Sequence, residues 1–185
     1  LWHTVERCRQ SKKADQVIVA TTVNSEDDVV EKFCIENKIP YHRGSSGNVL
    51  ERYYEAAKGA GVDAVVRVTS DCPLIDPFVI DSCVESFQKS GSDYLSNVEP
   101  GERTFPRGLD VEVFRFSALE KAYKNASENY EKEHVTPYIW ENKKKEFKIG
   151  PSVIAPSEYA RDYRFTVDYK EDFQLIEKIY NKFYK

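Results

Sequence analysis

This chain contains no methionine, not even at its first position. It opens on Leu1-Trp2-His3-Thr4-Val5-Glu6-Arg7-Cys8, where Leu1, Val5 and Cys8 share one face of an amphipathic helix. A start inside a helix leads us to expect a further segment ahead of Leu1. Histidine is scarce, and His3, His42 and His134 lie far apart. Cysteine is scarce too, and Cys8, Cys34, Cys72 and Cys83 show no metal-ligand spacing. A zinc site is therefore not expected. A chain of 185 residues needs no disulfide staples, so the thiols read as reduced and the protein as cytoplasmic. No apolar run approaches the roughly 20 residues of a membrane span, and no stretch reads as a signal peptide. Positive charge is not in excess: 27 Lys and Arg face 31 Asp and Glu, a formal net charge of −4. A nucleic-acid partner gets no electrostatic support from that balance. The dense basic run Lys143-Lys144-Lys145 reads as a solvated helix end or loop. Repeats, low-complexity stretches and linkers are absent, so one domain spans 1–185.

What is present is a hydrophobic share of 41%, enough for a sizeable core. The pattern predicts strands at 16–22, 39–43, 64–69, 93–96 and 109–114, with further candidates at 147–154 and 164–167. Helices are predicted after 25–28 to about Asn37, over 49–60 ended by Gly61, and from Pro77 to about Lys89 capped by Asp76. Further helices follow over 117–125, over 128–142 with a break at Pro137, and over 170–183. Ser25 with Asp28, and Ser117 with Glu120, read as capping boxes. Strands alternate with helices in the first half, the signature of an α/β sheet with a parallel centre.

The most informative stretch is Ala64-Val65-Val66-Arg67-Val68-Thr69-Ser70-Asp71-Cys72-Pro73-Leu74-Ile75-Asp76-Pro77. A buried strand runs into a rigid turn and leaves Asp71 at its carboxyl end, where open α/β sheets bind ligands. The alternative is an Asx-turn carboxylate that bonds only backbone N–H groups. Asp168, closing Arg164-Phe165-Thr166-Val167-Asp168, is a second strand-end acid, with a helix N-cap as its alternative. Two such carboxylates can share one Mg2+, an ion that takes oxygen ligands and bridges to substrate phosphates. Arg67, on an apolar strand, reads as a substrate cation or as a structural partner of Asp71. Arg52 reads equally as a nucleotide contact or a surface ion pair with Glu51 or Glu55. His134 reads as a structural histidine, and Cys72 as a small buried thiol.

Four ordered motifs carry a family resemblance. They are 69–77, Phe105-Pro106-Arg107-Gly108-Leu109-Asp110-Val111-Glu112-Val113, Glu133-His134-Val135-Thr136-Pro137-Tyr138 and Thr166-Val167-Asp168. Together they resemble the spore-coat-polysaccharide-type cytidylyltransferases, relatives of the acylneuraminate and 3-deoxy-manno-octulosonate cytidylyltransferases. The resemblance runs along essentially the whole chain. It implies a nucleotide-diphospho-sugar transferase fold (GT-A, Rossmann-like), a three-layer sandwich around a mixed, mostly parallel sheet. It implies CTP and an unidentified acidic or modified sugar as substrates, Mg2+ as cofactor, and a homodimer with its arm within about 97–145. Asp71 and Asp168 match the catalytic, metal-holding carboxylates. Arg43, Gly44 and Arg52, with Thr69 and Ser70, match the nucleotide side. Arg67, Gly108, Asp110 and Arg164 match the sugar side. Arg107 stands where relatives often carry an acid. The resemblance also implies an opening strand and a Gly- and Arg-rich phosphate loop ahead of Leu1. Rival expectations are another nucleotidyltransferase, a glycosyltransferase on the same scaffold, or a non-catalytic nucleotide-binding module.

Overall fold

The computed structural model describes residues 1–98 and 103–184. Its centre is a sheet in which β5 (Glu112–Arg115) lies between β3 (Ala64–Arg67) and β4 (Tyr94–Ser96) and runs antiparallel to both. The register puts Val66, Val113 and Leu95 in one row and Val65, Phe114 and Tyr94 in the next. Successive side chains of a strand point to opposite faces, so each row serves a different core. The Val66 row packs on Val79, Ile80, Cys83, Val84 and Phe87 of α4 (Pro77–Ser90). The Val65 row packs on α3 (Val49–Ala60) and α5 (Phe116–Asn125), and on Ile139 of α7 (Pro137–Trp140). That is the expected three-layer arrangement of helix, sheet and helix; the central pairings are antiparallel where a mostly parallel sheet was expected, because β5 inserts between β3 and β4.

The helices on both faces carry the predicted signals at Gly61, Asp76 and Pro77, and two further caps, Asn48 and Gly91, that were not predicted. The Asn48 side chain accepts the Glu51 N–H and starts α3, and Gly61, at φ 65°, closes it. Asp76 accepts the Phe78 N–H, Pro77 takes the first position of α4, and Gly91 ends it at φ 58°. The two expected capping boxes do not form. At the first, the chain makes a short 3-10 turn over Ser25–Asp27 before α2 (Asp28–Glu36), and the Asp27 side chain turns back to accept the Thr22 N–H. At the second, α5 starts one residue early, after Arg115, with no side-chain cap.

A second sheet pairs β1 (Val19–Thr22) with β2 (Tyr41–Gly44) in parallel. Its small core holds Val5 of α1 (Trp2–Arg9) with Cys34 and Ile39. β1 and β3 do not pair with each other. Between them lies a slot of about 300 Å3, lined by 16–20 on one side and 66–70 on the other.

The second half departs most from expectation. The predicted helix over 128–142 is two short pieces, α6 (Asn129–His134) and α7, parted by a tight turn at Val135. The two late strand candidates are extended segments with one bridge each, Ile149 to Tyr94 and Arg164 to Arg107. Pro151 and Pro156 bring no N–H to a ladder there. The proposed arm also contributes to the core: Phe105, Val135 and Ile139 are fully buried. Residues 99–102 of that arm lie outside the described chain. Helix α8 (Lys170–Phe183) folds back over the start of the chain. The Tyr180 ring stacks on His3 at 3.5 Å and its hydroxyl donates to the Pro73 carbonyl at 2.6 Å.

Candidate active site

Strand β3 ends at Arg67, and the chain turns through Thr69 and Ser70, where the Cys72 N–H donates to the Thr69 carbonyl. Among the described residues the Asp71 carboxylate accepts no backbone N–H. Its one protein partner is the Cys72 thiol, at 3.7 Å. The Asx-turn alternative is therefore not what the structure shows. Burial pushes the Cys72 thiol up to about 12, which leaves it without thiolate character at neutral pH.

Asp168 arrives from the other end of the sequence. The Val167 N–H donates to the Asp71 carbonyl at 2.9 Å. Hydrogen-bonded backbones lie about 4.8 Å apart, so the two acids belong to neighbouring segments. The Asp168 carboxylate accepts the Thr166 hydroxyl at 2.9 Å and lies 3.4 Å from Arg164. It is not the cap of α8. Asp172 does that work, accepting the N–H groups of Asp168 and Tyr169 at 3.0 and 2.9 Å and pairing with Arg164. Those two N–H bonds, ahead of the nearby guanidinium, hold the Asp172 carboxyl below the usual carboxylate range. Arg164 is thus a partner of two carboxylates. Gly108 abuts the same segment. Its φ is 96°, and a Cβ there would come within 2.9 Å of the Phe165 carbonyl carbon.

A cavity of about 680 Å3 opens at Thr69, two residues before Asp71; Asp71 and Asp168 are not among its described lining residues. Its wall carries Thr69, Tyr94, Glu112, Tyr130, His134 and Trp140. Arg67 projects into it, and its partner is Glu112 across the β3–β5 pair, not Asp71. Burial opposes the Arg67 charge, and the Glu112 carboxylate more than offsets this, so its pKa stands above the usual value. Glu112 also accepts the hydroxyls of Tyr94 and Thr136 at 2.7 and 2.6 Å. Burial and that carboxylate push the Tyr94 phenol strongly up. Asp110 lines the cavity too, paired with Arg103.

The residues matched to the nucleotide lie around the slot and its rim. Thr69 borders both cavities, and Ser70 lines the slot. Arg52 lines the slot as well and donates to the Ser45 carbonyl at 2.8 Å, with no ion pair to Glu51 or Glu55 among the described residues. Its buried Nε has no protein partner. A Cβ on Gly44 would crowd Arg52 at 3.2 Å. Arg43 is fully engaged: it donates to the carbonyls of Thr22 and Asn24 and pairs with Asp28 and Glu31. Sequence reasoning missed Glu112, Thr136 and Asp172. A carboxylate inside an otherwise apolar strand was the signal for Glu112, since such a group needs buried partners.

The α/β sandwich is that of the nucleotide-diphospho-sugar transferases, and the protein is a nucleotidyltransferase by the family and the solved relatives that it matches. The chain belongs to the family described as Cytidylyltransferase, which it matches over residues 1–184. It is 36% identical to a solved cytidylyltransferase from Leptospira borgpetersenii, with a TM-score of 0.86 over 99% of this chain and 76% of that one. It is 32% identical over 187 residues to the spore coat polysaccharide biosynthesis protein SpsF of Bacillus subtilis, covering 96% of this chain and 74% of SpsF. A CMP:2-keto-3-deoxy-manno-octonic acid synthetase, solved with CTP, shares the fold: TM-score 0.62 at 14% identity, over 98% of this chain and 87% of that one. No helix among the described residues is long and apolar enough to cross a membrane.

Proposed function

We propose that this chain transfers a cytidylyl group from CTP to a hydroxyl of an acidic or modified sugar. The observation that carries the proposal is the backbone bond from Val167 to Asp71, which joins the segment of Asp168 to the turn that follows β3. The acceptor hydroxyl oxygen bonds to the α-phosphorus of CTP, the bond from that phosphorus to the bridging oxygen breaks, and pyrophosphate leaves. The hydroxyl proton passes to solvent. The chain's own part is to hold the two substrates in line, which by itself supplies much of such a rate. The larger cavity suits the sugar. Its aromatic side chains cover C–H faces, and its hydroxyl and charged groups meet oxygens.

Asp71 and Asp168 offer hard oxygen donors, the type Mg2+ takes. Two protein carboxylates suit an ion that fills the rest of its shell with substrate phosphates and water. Bound there, Mg2+ would neutralise charge on the phosphate oxygens. The facing edges of β1 and β3 support a further proposal, that one more extended strand fits the slot and that the phosphate grip enters with it. A homodimer in the cytoplasm completes the proposal.

The test is product analysis on the full-length protein with Mg2+, CTP and candidate sugars. Release of pyrophosphate with a CMP-sugar is the expected result. Release of a nucleoside diphosphate from a sugar nucleotide would make the protein a glycosyltransferase. CTP binding with no product from any sugar would make it a binding module.

A further inference from the structure

Between α6 and α7 the chain makes a turn that costs energy. Val135 has φ 73° and ψ −55°, and the Thr136 N–H donates to the His134 carbonyl at 2.9 Å. This is a γ-turn of the rare, strained hand, on a β-branched residue where positive φ is an outlier. Such a conformation is costly and persists only where its surroundings over-determine it. Here they do so from both sides. The Val135 side chain is fully buried in the core with Leu119 and Ile139. The Thr136 hydroxyl is fixed on Glu112 at 2.6 Å. A helix continuing through 135 would avoid the strain and carry His134 elsewhere.

The group this turn presents is the His134 imidazole. It lines the larger cavity beside Tyr130, with ring centroids 4.9 Å apart and planes at 58°. His134 is exposed, and neither ring nitrogen bonds a protein group among the described residues. Several neighbours in the wall are engaged: Tyr94, Thr136 and an Arg67 amino group with Glu112, and Asp110 with Arg103, while the buried Arg67 Nε has no protein partner. An imidazole offers both hydrogen-bonding roles, donor and acceptor, as a sugar hydroxyl does. Resting on the cytidylyl-transfer reading of this cavity, we infer that His134 is an acceptor-binding residue that hydrogen-bonds a hydroxyl of the sugar. Val135 and Thr136 are its positioning residues. The sequence reading of His134 as a structural histidine gives way to this one, because the ring is exposed and, among the described residues, neither nitrogen holds a protein group.

The test uses the full-length protein labelled with 15N, and 2-keto-3-deoxy-manno-octonic acid as the probe. Its imidazole nitrogens are followed by NMR as the probe is added. The His134 signals should move saturably. His134→Ala should weaken probe binding about tenfold, the effect of losing one good hydrogen bond, with CTP binding in the same samples unchanged. His134 is exposed, so the variant should fold normally. Equal binding by wild type and His134→Ala, saturation without movement of the His134 signals, or no binding of the probe would each overturn the assignment. Failure of the wild type to bind CTP would instead count against the cytidylyl reading, because the probe titration does not depend on the nucleotide.

Discussion

The Val167 N–H donates to the Asp71 carbonyl at 2.9 Å, across nearly a hundred residues of chain. This bond brings the turn after β3 and the segment before α8 together. Replacing Val167 with proline removes the donor. We expect a stability loss of at least about 1 kcal/mol, the worth of one such bond. Turnover should fall far more, by over tenfold, because Asp168 moves with the segment. Chemical denaturation and pyrophosphate release, measured on one preparation, separate the two effects.

Gly108 sits where that segment comes closest. Its positive φ and the 2.9 Å approach to Phe165 backbone leave no room for a Cβ. Gly108→Ala should cost about 1–3 kcal/mol and shift the amide signals of 164–168. Gly47 has nothing within 4 Å and serves as the control. Gly47→Ala should stay within about 0.5 kcal/mol of wild type in the same denaturation series.

Glu112 is the hub of the cavity floor, holding Arg67, Tyr94 and Thr136. Glu112→Ala strands a largely buried guanidinium and two hydroxyls. The expected destabilisation is about 1.5–3 kcal/mol, and His134 should lose its fixed place as Thr136 comes free. Glu112→Gln keeps the hydroxyl bonds and should cost less. Equal melting temperatures for the two variants would count against the hub.

Asp27 gives the acid limb a defined contributor. Its carboxylate accepts the Thr22 hydroxyl and N–H and the Thr21 hydroxyl, and these bonds lower its pKa. A depressed folded pKa means stability that is fully present above the unfolded value, about 3.9, and lost as pH falls through the lower folded value. Asp27→Asn should therefore flatten the stability curve below pH 4 and leave its slope at pH 6–8 unchanged. Urea titrations across that range read this directly.

Much of this was legible in the sequence. The bounds of α3 and α8 came out as predicted, because Gly61 ends the first and an amphipathic pattern marks the second. β3 and the turn to Asp71 followed from a β-branched run stopped by prolines. What was not legible depends on contacts between distant residues. No local signal says that Arg67 pairs with Glu112, or that Thr136 holds a strained turn open at Val135. A helical pattern through 128–142 hid that turn, since Val135 suits a buried helix position as well as the γ-turn it adopts. The antiparallel pairing of the central sheet also rests on a long-range contact, with β5 inserted between β3 and β4.

The central claim is that Asp71 belongs to a cytidylyl-transfer site, and the most direct measurement is pyrophosphate release from CTP by Asp71→Asn beside the wild type. Full-length protein, Mg2+ and an accepted sugar are used, with the melting temperature of both forms recorded. The account predicts turnover lost by at least a hundredfold, roughly the scale of one electrostatic group at a reacting centre, with melting within a few degrees of wild type. Near-normal turnover in Asp71→Asn would contradict it.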